Sequence, residues 1–164
     1  LKPLSVTGTK WLKIVHLLLA ALWVGGAFAL VLMQYGLAAG DRGMLHGIDT
    51  SMKFVDDFVV IPAAIGTALT GLIYALKTQW GFFRHRWVTV KWIITVAGLV
   101  VGTLWLGPWL NAMPPISAAL GLDALSDPAY VWFKRQNGWV GVVQVAALVF
   151  ALGLSVLKPW ERRA

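Results

Sequence analysis

The chain of 164 residues contains no cysteine. Disulfides, zinc–thiolate centres, iron–sulfur clusters and covalently attached c-type haem are thereby excluded, and any cofactor must be held without thiols. Acidic residues are few, seven Asp and Glu against 14 Lys and Arg, and there are only three histidines. Charged residues make up 13 % of the chain while 59 % of it is hydrophobic, and the mean hydropathy is +0.73. That balance lies outside the range of soluble domains.

A net charge of +7 could be the footprint of a nucleic-acid binder. Here the basic residues stand in short clusters between long apolar stretches, which is the topology signal of a membrane protein. The lipid bilayer is the expected partner, and nucleic acid is not.

Four apolar stretches reach the ~20 residues needed to cross ~30 Å of hydrocarbon. They run from about Trp11 to Leu37, Phe54 to Leu76, Trp87 to Leu110 and Trp139 to Leu157. The first is followed by three of similar character and is expected to be its own targeting signal rather than a cleaved leader. Together they predict an all-α membrane protein with a single domain over 1–164, an up-down bundle of four transmembrane helices. Lys2, Lys10 and Lys13, then Lys77, Arg84, Arg86 and Lys91, then Lys158, Arg162 and Arg163 form three basic clusters that belong on the cytoplasmic side. Both termini are therefore expected in the cytoplasm. Trp11, Trp80, Trp87 and Trp160 mark the inner headgroup belt, and Trp109, Trp132 and Trp139 the outer one.

The third loop, about Asn111 to Gln136, carries Pro114, Pro115 and Pro128 and an amphipathic stretch from Ile116 to Leu125, expected to lie as a small helix on the outer surface. Small residues recur in every span, among them Ala20, Gly25, Gly26, Gly66, Gly71, Gly98, Gly102 and Gly141. They allow the close approach that drives helix association in lipid. Gly98-x-x-x-Gly102 also offers a homodimer contact. No internal repeat is evident.

Polar groups inside a span are costly, and few are present. His16 lies five residues past Trp11 and Lys91 four past Trp87, which puts both about 6–8 Å inside the same belt at ~1.5 Å per residue. Lys13, His16, Ala20 and Trp23 share one helical face. A cation, an imidazole, a small residue and an aromatic on one face are the ingredients of a porphyrin site. A neutral imidazole can ligate iron, and lysines at the membrane edge can meet porphyrin carboxylates. His16 is thus the candidate metal ligand, with Lys13, Lys91, Ala20 and Trp23 as candidate cofactor contacts and haem b as the cofactor. The alternative is an imidazole bonded to a neighbouring helix, with lysines that snorkel to phosphates.

Three further features have double readings. Met44, His46 and Met52, with Met33 and Met113, form a soft donor set that suits Cu(I). Asp56 and Asp57 open the second predicted span, either as a cation or proton-entry site or as an acidic turn complementing a helix dipole. Gln144 can satisfy Thr67, Thr70, Thr95 and Thr103 across the bundle, or face a cofactor.

The first span reads Trp11-x-Lys13-x-x-His16 and then Trp23-x-Gly25, the second contains Pro62 and Thr70-Gly71, and the third opens with Trp87-x-x-x-Lys91. These motifs resemble an uncharacterised bacterial family of four-helix integral membrane proteins, and more distantly the HemJ-type protoporphyrinogen oxidases and the CopD membrane domain, over about the first 110 residues. The resemblance implies a bacterial cytoplasmic-membrane location, haem b in the bundle, and a match of His16 and Lys91 to the essential histidine and lysine of the HemJ type. It makes the chain a candidate oxidoreductase, with a redox, electron-transfer or haem-sensing role and a porphyrin or quinone as partner. Porphyrin oxidation and CopD-like copper transport are the alternatives, beside a membrane scaffold without a cofactor. Leu30-Val31-Leu32-Met33-Gln34-Tyr35 stands where the HemJ pattern has a Pro-Arg-Leu run and a further histidine.

Overall fold

In the computed structural model, residues 4–78 and 81–158 are described, and all regular structure among them is helical. The elements are α1 (Val6–Gly36), α2 (Arg42–Val55), α3 (Ile61–Lys77), α4 (Arg86–Val101), α5 (Gly107–Leu120) and α6 (Pro128–Leu157). A π-helical turn, Asp56–Val60, joins α2 to α3 without a break, a second, Gly102–Leu106, joins α4 to α5, and a 3-10 turn, Gly121–Ser126, leads to α6. Four continuous helices result, Val6–Gly36, Arg42–Lys77, Arg86–Ser126 and Pro128–Leu157, each long and apolar enough to cross a membrane. Lys2, Trp80, Trp160, Arg162 and Arg163, assigned to the inner clusters and belt, lie outside the described residues.

Side-chain caps start three of these helices. Ser5, Asp41 and Asp127 accept from the backbone N–H of Gly8, Met44 and Tyr130 at 3.1, 2.8 and 2.8 Å, satisfying donors that the first turn leaves open. The helices alternate in direction: His16 of α1 meets Thr70 of α3, and Gln34 of α1 meets Lys134 of α6. The starts of α1 and α4 and the ends of α3 and α6 form what is called here the lower end. The end of α1, α2, α5 and the start of α6 form the upper end.

The helices outrun the predicted spans. The outer segments expected as loops are helical extensions, because α2 buries Leu45, Asp49 and Met52 and α5 buries Leu110, Met113, Pro114 and Ser117. The stretch from Ile116 does not form a separate surface helix; it continues α5 to Leu120 and ends in the 3-10 turn at Gly121, whose φ is +60°. Pro114 and Pro115 lie inside α5. Interior prolines cost about 3 kcal/mol or more, and burial of this face between α2 and α6 offsets that.

The π turns have a cause in the sequence. Ile61 N–H bonds Asp56 C=O and Gly107 N–H bonds Gly102 C=O, each spanning five residues, and a proline, Pro62 or Pro108, follows immediately in both cases. A proline ring clashes with the carbonyl four residues back, and widening the turn relieves the clash. At Gly107 a Cβ would stand 3.1 Å from the Gly102 carbonyl oxygen, a tight contact, although the equivalent position of the first π turn carries Ile61.

Two apolar clusters hold the molecule. The upper one comprises Leu45, Met52, Leu110, Met113, Ala124 and Tyr130. The central one comprises Trp23, Val60, Ala63, Ala64 and Leu148. Small residues set the closest approaches: Cβ atoms at Gly26 and Gly66 would come within 2.9 Å of Val60 and Leu19, and one at Gly98 within 3.3 Å of Trp23. Gly98 and Gly102 therefore face inward, against Trp23 and Gln144. Gly98, the first glycine of the Gly98-x-x-x-Gly102 motif, thus packs within the chain.

Candidate functional site

The lower end brings His16 and Lys91 into one interhelical space. His16 Nδ1 lies 2.8 Å from Thr70 Oγ1. That hydroxyl spends its single hydrogen on the Gly66 carbonyl at 2.7 Å, with the Thr67 carbonyl at 3.1 Å. The imidazole must therefore be the donor, Nδ1–H to Thr70 Oγ1, which leaves Nε2 with its lone pair. Nε2 has no hydrogen-bond partner and is not sealed in the bundle. The Tyr74 ring meets the imidazole edge-on with centroids 5.8 Å apart.

The ring rests on α3 where the side chain is smallest: a Cβ at Gly71 would be 3.6 Å from His16 Cε1 and 3.7 Å from Trp92. Lys91, one residue before Trp92 on α4, is half-buried, lies within electrostatic reach of the imidazole, and holds its ammonium 5.7 Å from the centre of the Trp87 ring. Trp87 is itself buried rather than displayed to a headgroup layer. Lys13 is exposed, whereas Ala20 and Trp23 are packed in the bundle. His85 precedes α4 with its ring 6.1 Å from that of Trp87.

The upper donor set is not gathered in the same way. Met52 and Met113 are core residues, Met33 packs against them, and Met44 is exposed. His46 Nδ1 donates to the Pro114 carbonyl at 3.1 Å, and its Nε2 lies 3.5 Å from the Thr50 hydroxyl. His46 is thus a strap between α2 and α5. Among the described residues no three His, Asp or Glu side chains converge as a metal site.

Two expectations are corrected. Asp56 and Asp57 do not complement a helix N-terminus, because the helix begins at Arg42 and passes through them as a π turn. Asp57 instead pairs with Lys53 at 2.6 Å. Gln144 does not satisfy the threonines: Thr67 and Thr70 bond back to Ala63 and Gly66 of their own helix at 2.7 Å each, as is usual in apolar helices, and Gln144 Oε1 is left without a partner.

Gln144 faces a feature that the sequence does not announce. A cavity of about 460 Å³ lies in the upper half of the bundle, with Trp23 among its lowest lining residues and both π turns in its wall. Its polar lining is Gln34, Asp56, Thr103, Asn111, Asn137 and Gln144. Gln34 carries a detectable signal in the sequence, an amide within an otherwise apolar span.

Comparison of the chain with protein-family models, with curated proteins and with solved structures gives no match.

Proposed function

We propose that this is a multi-pass protein of the bacterial cytoplasmic membrane that binds haem b through His16 and serves in redox chemistry, electron transfer or haem sensing. The observation that carries the reading is the His16–Thr70 hydrogen bond of 2.8 Å. Ligating histidines characteristically donate their other ring N–H to a fixed partner, which sets the tautomer and the ring orientation. The donor chemistry fits a ligand to haem iron: one neutral imidazole, its free Nε2 unpartnered and reachable.

The charge distribution supports the orientation. Lys10, Lys13, Lys77, Arg84, Arg86, Lys91 and Lys158 lie toward the lower end, and every described aspartate lies in the upper half. A basic end belongs in the cytoplasm.

Bound haem b supplies a one-electron iron couple. Thr70 fixes the His16 ring, Tyr74 and Gly71 define its place on α3, and the flat face of Trp87 steadies the Lys91 ammonium. Lys91 and the exposed Lys13 would meet carboxylates at the membrane edge. Ala20 and Trp23 belong to the packing behind the imidazole.

The test is the visible spectrum of the detergent-purified protein, oxidised and dithionite-reduced, with a pyridine haemochrome assay after expression with sufficient haem. A b-type spectrum that disappears in His16→Ala is the expected result. A colourless wild-type protein, or a spectrum unchanged by the substitution, would overturn the reading and leave a transporter subunit or scaffold in front.

A further inference from the structure

We propose that the upper cavity binds an uncharged lipophilic carbonyl compound, a ketone or quinone oxygen on an apolar body, through the Nε2 amide of Gln144. The inference is independent of the haem reading and rests on different residues. Three buried amides line the cavity, those of Gln34, Asn137 and Gln144. Gln34 Nε2 donates to the Lys134 carbonyl at 2.8 Å, and Asn137 Nδ2 to the Leu106 carbonyl at 3.0 Å. Gln144 is only 8 % exposed, and neither end of its amide has a partner. Its Oε1 is sealed in the packing, whereas its Nε2 is not. Nε2 lies opposite Gly102, another lining residue, and a Cβ added there would stand 4.0 Å from it. The end of Gln144 turned to the cavity is therefore a donor.

Depth narrows the choice of acceptor. Gln144 lies near the middle of α6 (Pro128–Leu157), where a bilayer offers hydrocarbon and neither headgroups nor ester carbonyls. An amide N–H left without a partner in such surroundings is costly. A charged acceptor is disfavoured at this depth. A hydroxyl would bring a donor that needs an acceptor in turn, and the sealed Oε1 of Gln144 does not supply one. A carbonyl oxygen accepts from Nε2 and asks for nothing further.

The rest of the wall is mainly apolar and selects the body of the ligand. Trp23, Leu30, Val60 and Leu99 contribute to it, and a volume of about 460 Å³ falls within the range of small-molecule sites. α3 and α4 pack together far less closely than α1 with α3 or α4 with α6. The lining residues Ile61 and Ile65 on α3, and Thr103 in the π turn after α4, are exposed, which gives a lateral path from lipid.

The experiment titrates methyl nonyl ketone and n-undecane into the protein in nanodiscs of ether-linked phospholipid, with empty nanodiscs as the partition reference. The ketone is expected to bind about tenfold more tightly than the alkane, the equivalent of about 1.4 kcal/mol and the scale of one hydrogen bond. Its carbonyl stretch should move to lower frequency than in the empty discs. Gln144→Leu should remove both the preference and the shift while the alkane still binds, and Gly102→Leu, which fills the space opposite Nε2, should weaken both ligands. Each variant is checked by its helical circular dichroism and thermal transition. Affinities should be the same in discs of ester-linked lipid; a tenfold fall there would assign Nε2 to the bilayer's own ester carbonyls and overturn the proposal. Equal binding of ketone and alkane would mean that water already meets Nε2, and would overturn it too. So would wild-type preference and carbonyl shift in Gln144→Leu, or no ketone binding beyond the empty discs.

Discussion

His46 and His16 occupy matching stations at opposite ends of the bundle. Each bridges two helices through Nδ1, His46 from α2 to the Pro114 carbonyl of α5 at 3.1 Å and His16 from α1 to Thr70 of α3 at 2.8 Å. They differ in what surrounds the second nitrogen. His46 Nε2 has the Thr50 hydroxyl at 3.5 Å, and its neighbours are the fully buried Ser117 and the methionine-rich upper core. His16 Nε2 has no partner, a lysine in reach and a glycine beneath the ring. The same side chain is a structural strap in one place and an oriented donor in the other, and the packing decides which. The wider regions repeat the contrast: Asp49 in the upper layer accepts from the buried Tyr130 hydroxyl at 3.0 and 3.1 Å, while the buried side chains of Gln34 and Gln144 each keep an amide oxygen without a partner.

The sharpest way to break the comparison is to truncate both histidines. His16→Ala is expected to abolish the b-type spectrum, whereas His46→Ala should keep it and lower the thermal midpoint. Loss of pigment in both would mean that pigment depends on folding and not on ligation. Next in size is the pair of tyrosines. Tyr130→Ala empties a site in the upper core and strips Asp49 of its donor, and should destabilise by about 3–5 kcal/mol. Tyr74→Ala, at the more open lower end, should cost about 1 kcal/mol, the scale of one ordinary hydrogen bond. Equal midpoints in a thermal melt of the two variants would refute the contrast. Thr70→Val removes the acceptor that orients His16 and should weaken haem retention by about 10–100-fold, read from apohaem transfer to a scavenging globin. The smallest effect is expected at Gln144→Leu, which replaces an unpartnered buried amide by a hydrocarbon. The thermal midpoint should hold or rise, by the equivalent of about 1 kcal/mol. A marked fall would show that the amide is satisfied in the membrane.

The four crossings were legible because uninterrupted apolar length is a strong pattern. The upper layer was not, because α2 mixes Asp49 and Lys53 with Leu45 and Met52, and the Pro114-Pro115 pair reads as a breaker until the faces that bury it are known. His16 and Lys91 stood out as rare polar groups in apolar surroundings. Thr70 did not, since threonine in an apolar helix ordinarily bonds back to its own turn, as this one also does. The cavity left no local trace: it is a space between helices, and only the depth of Gln34 and Gln144 hints at it.

The two proline-linked π turns have a consequence for the phase of their helices. Each accommodates about one extra residue, and one residue is ~100° of rotation. The side of α2 that contacts the upper layer is thereby decoupled from the side of α3 that contacts α1, and likewise for α5 and α4. A strictly α-helical rod of this length would have to satisfy both environments with one stripe. In sequence each rod carries two stripes one residue out of phase, and the widened turn absorbs that residue: a single-residue deletion within Asp56–Val60 or Gly102–Leu106 would close the π turn to an α turn with both faces kept, whereas a deletion elsewhere in the rod would turn one stripe out of register with its neighbours.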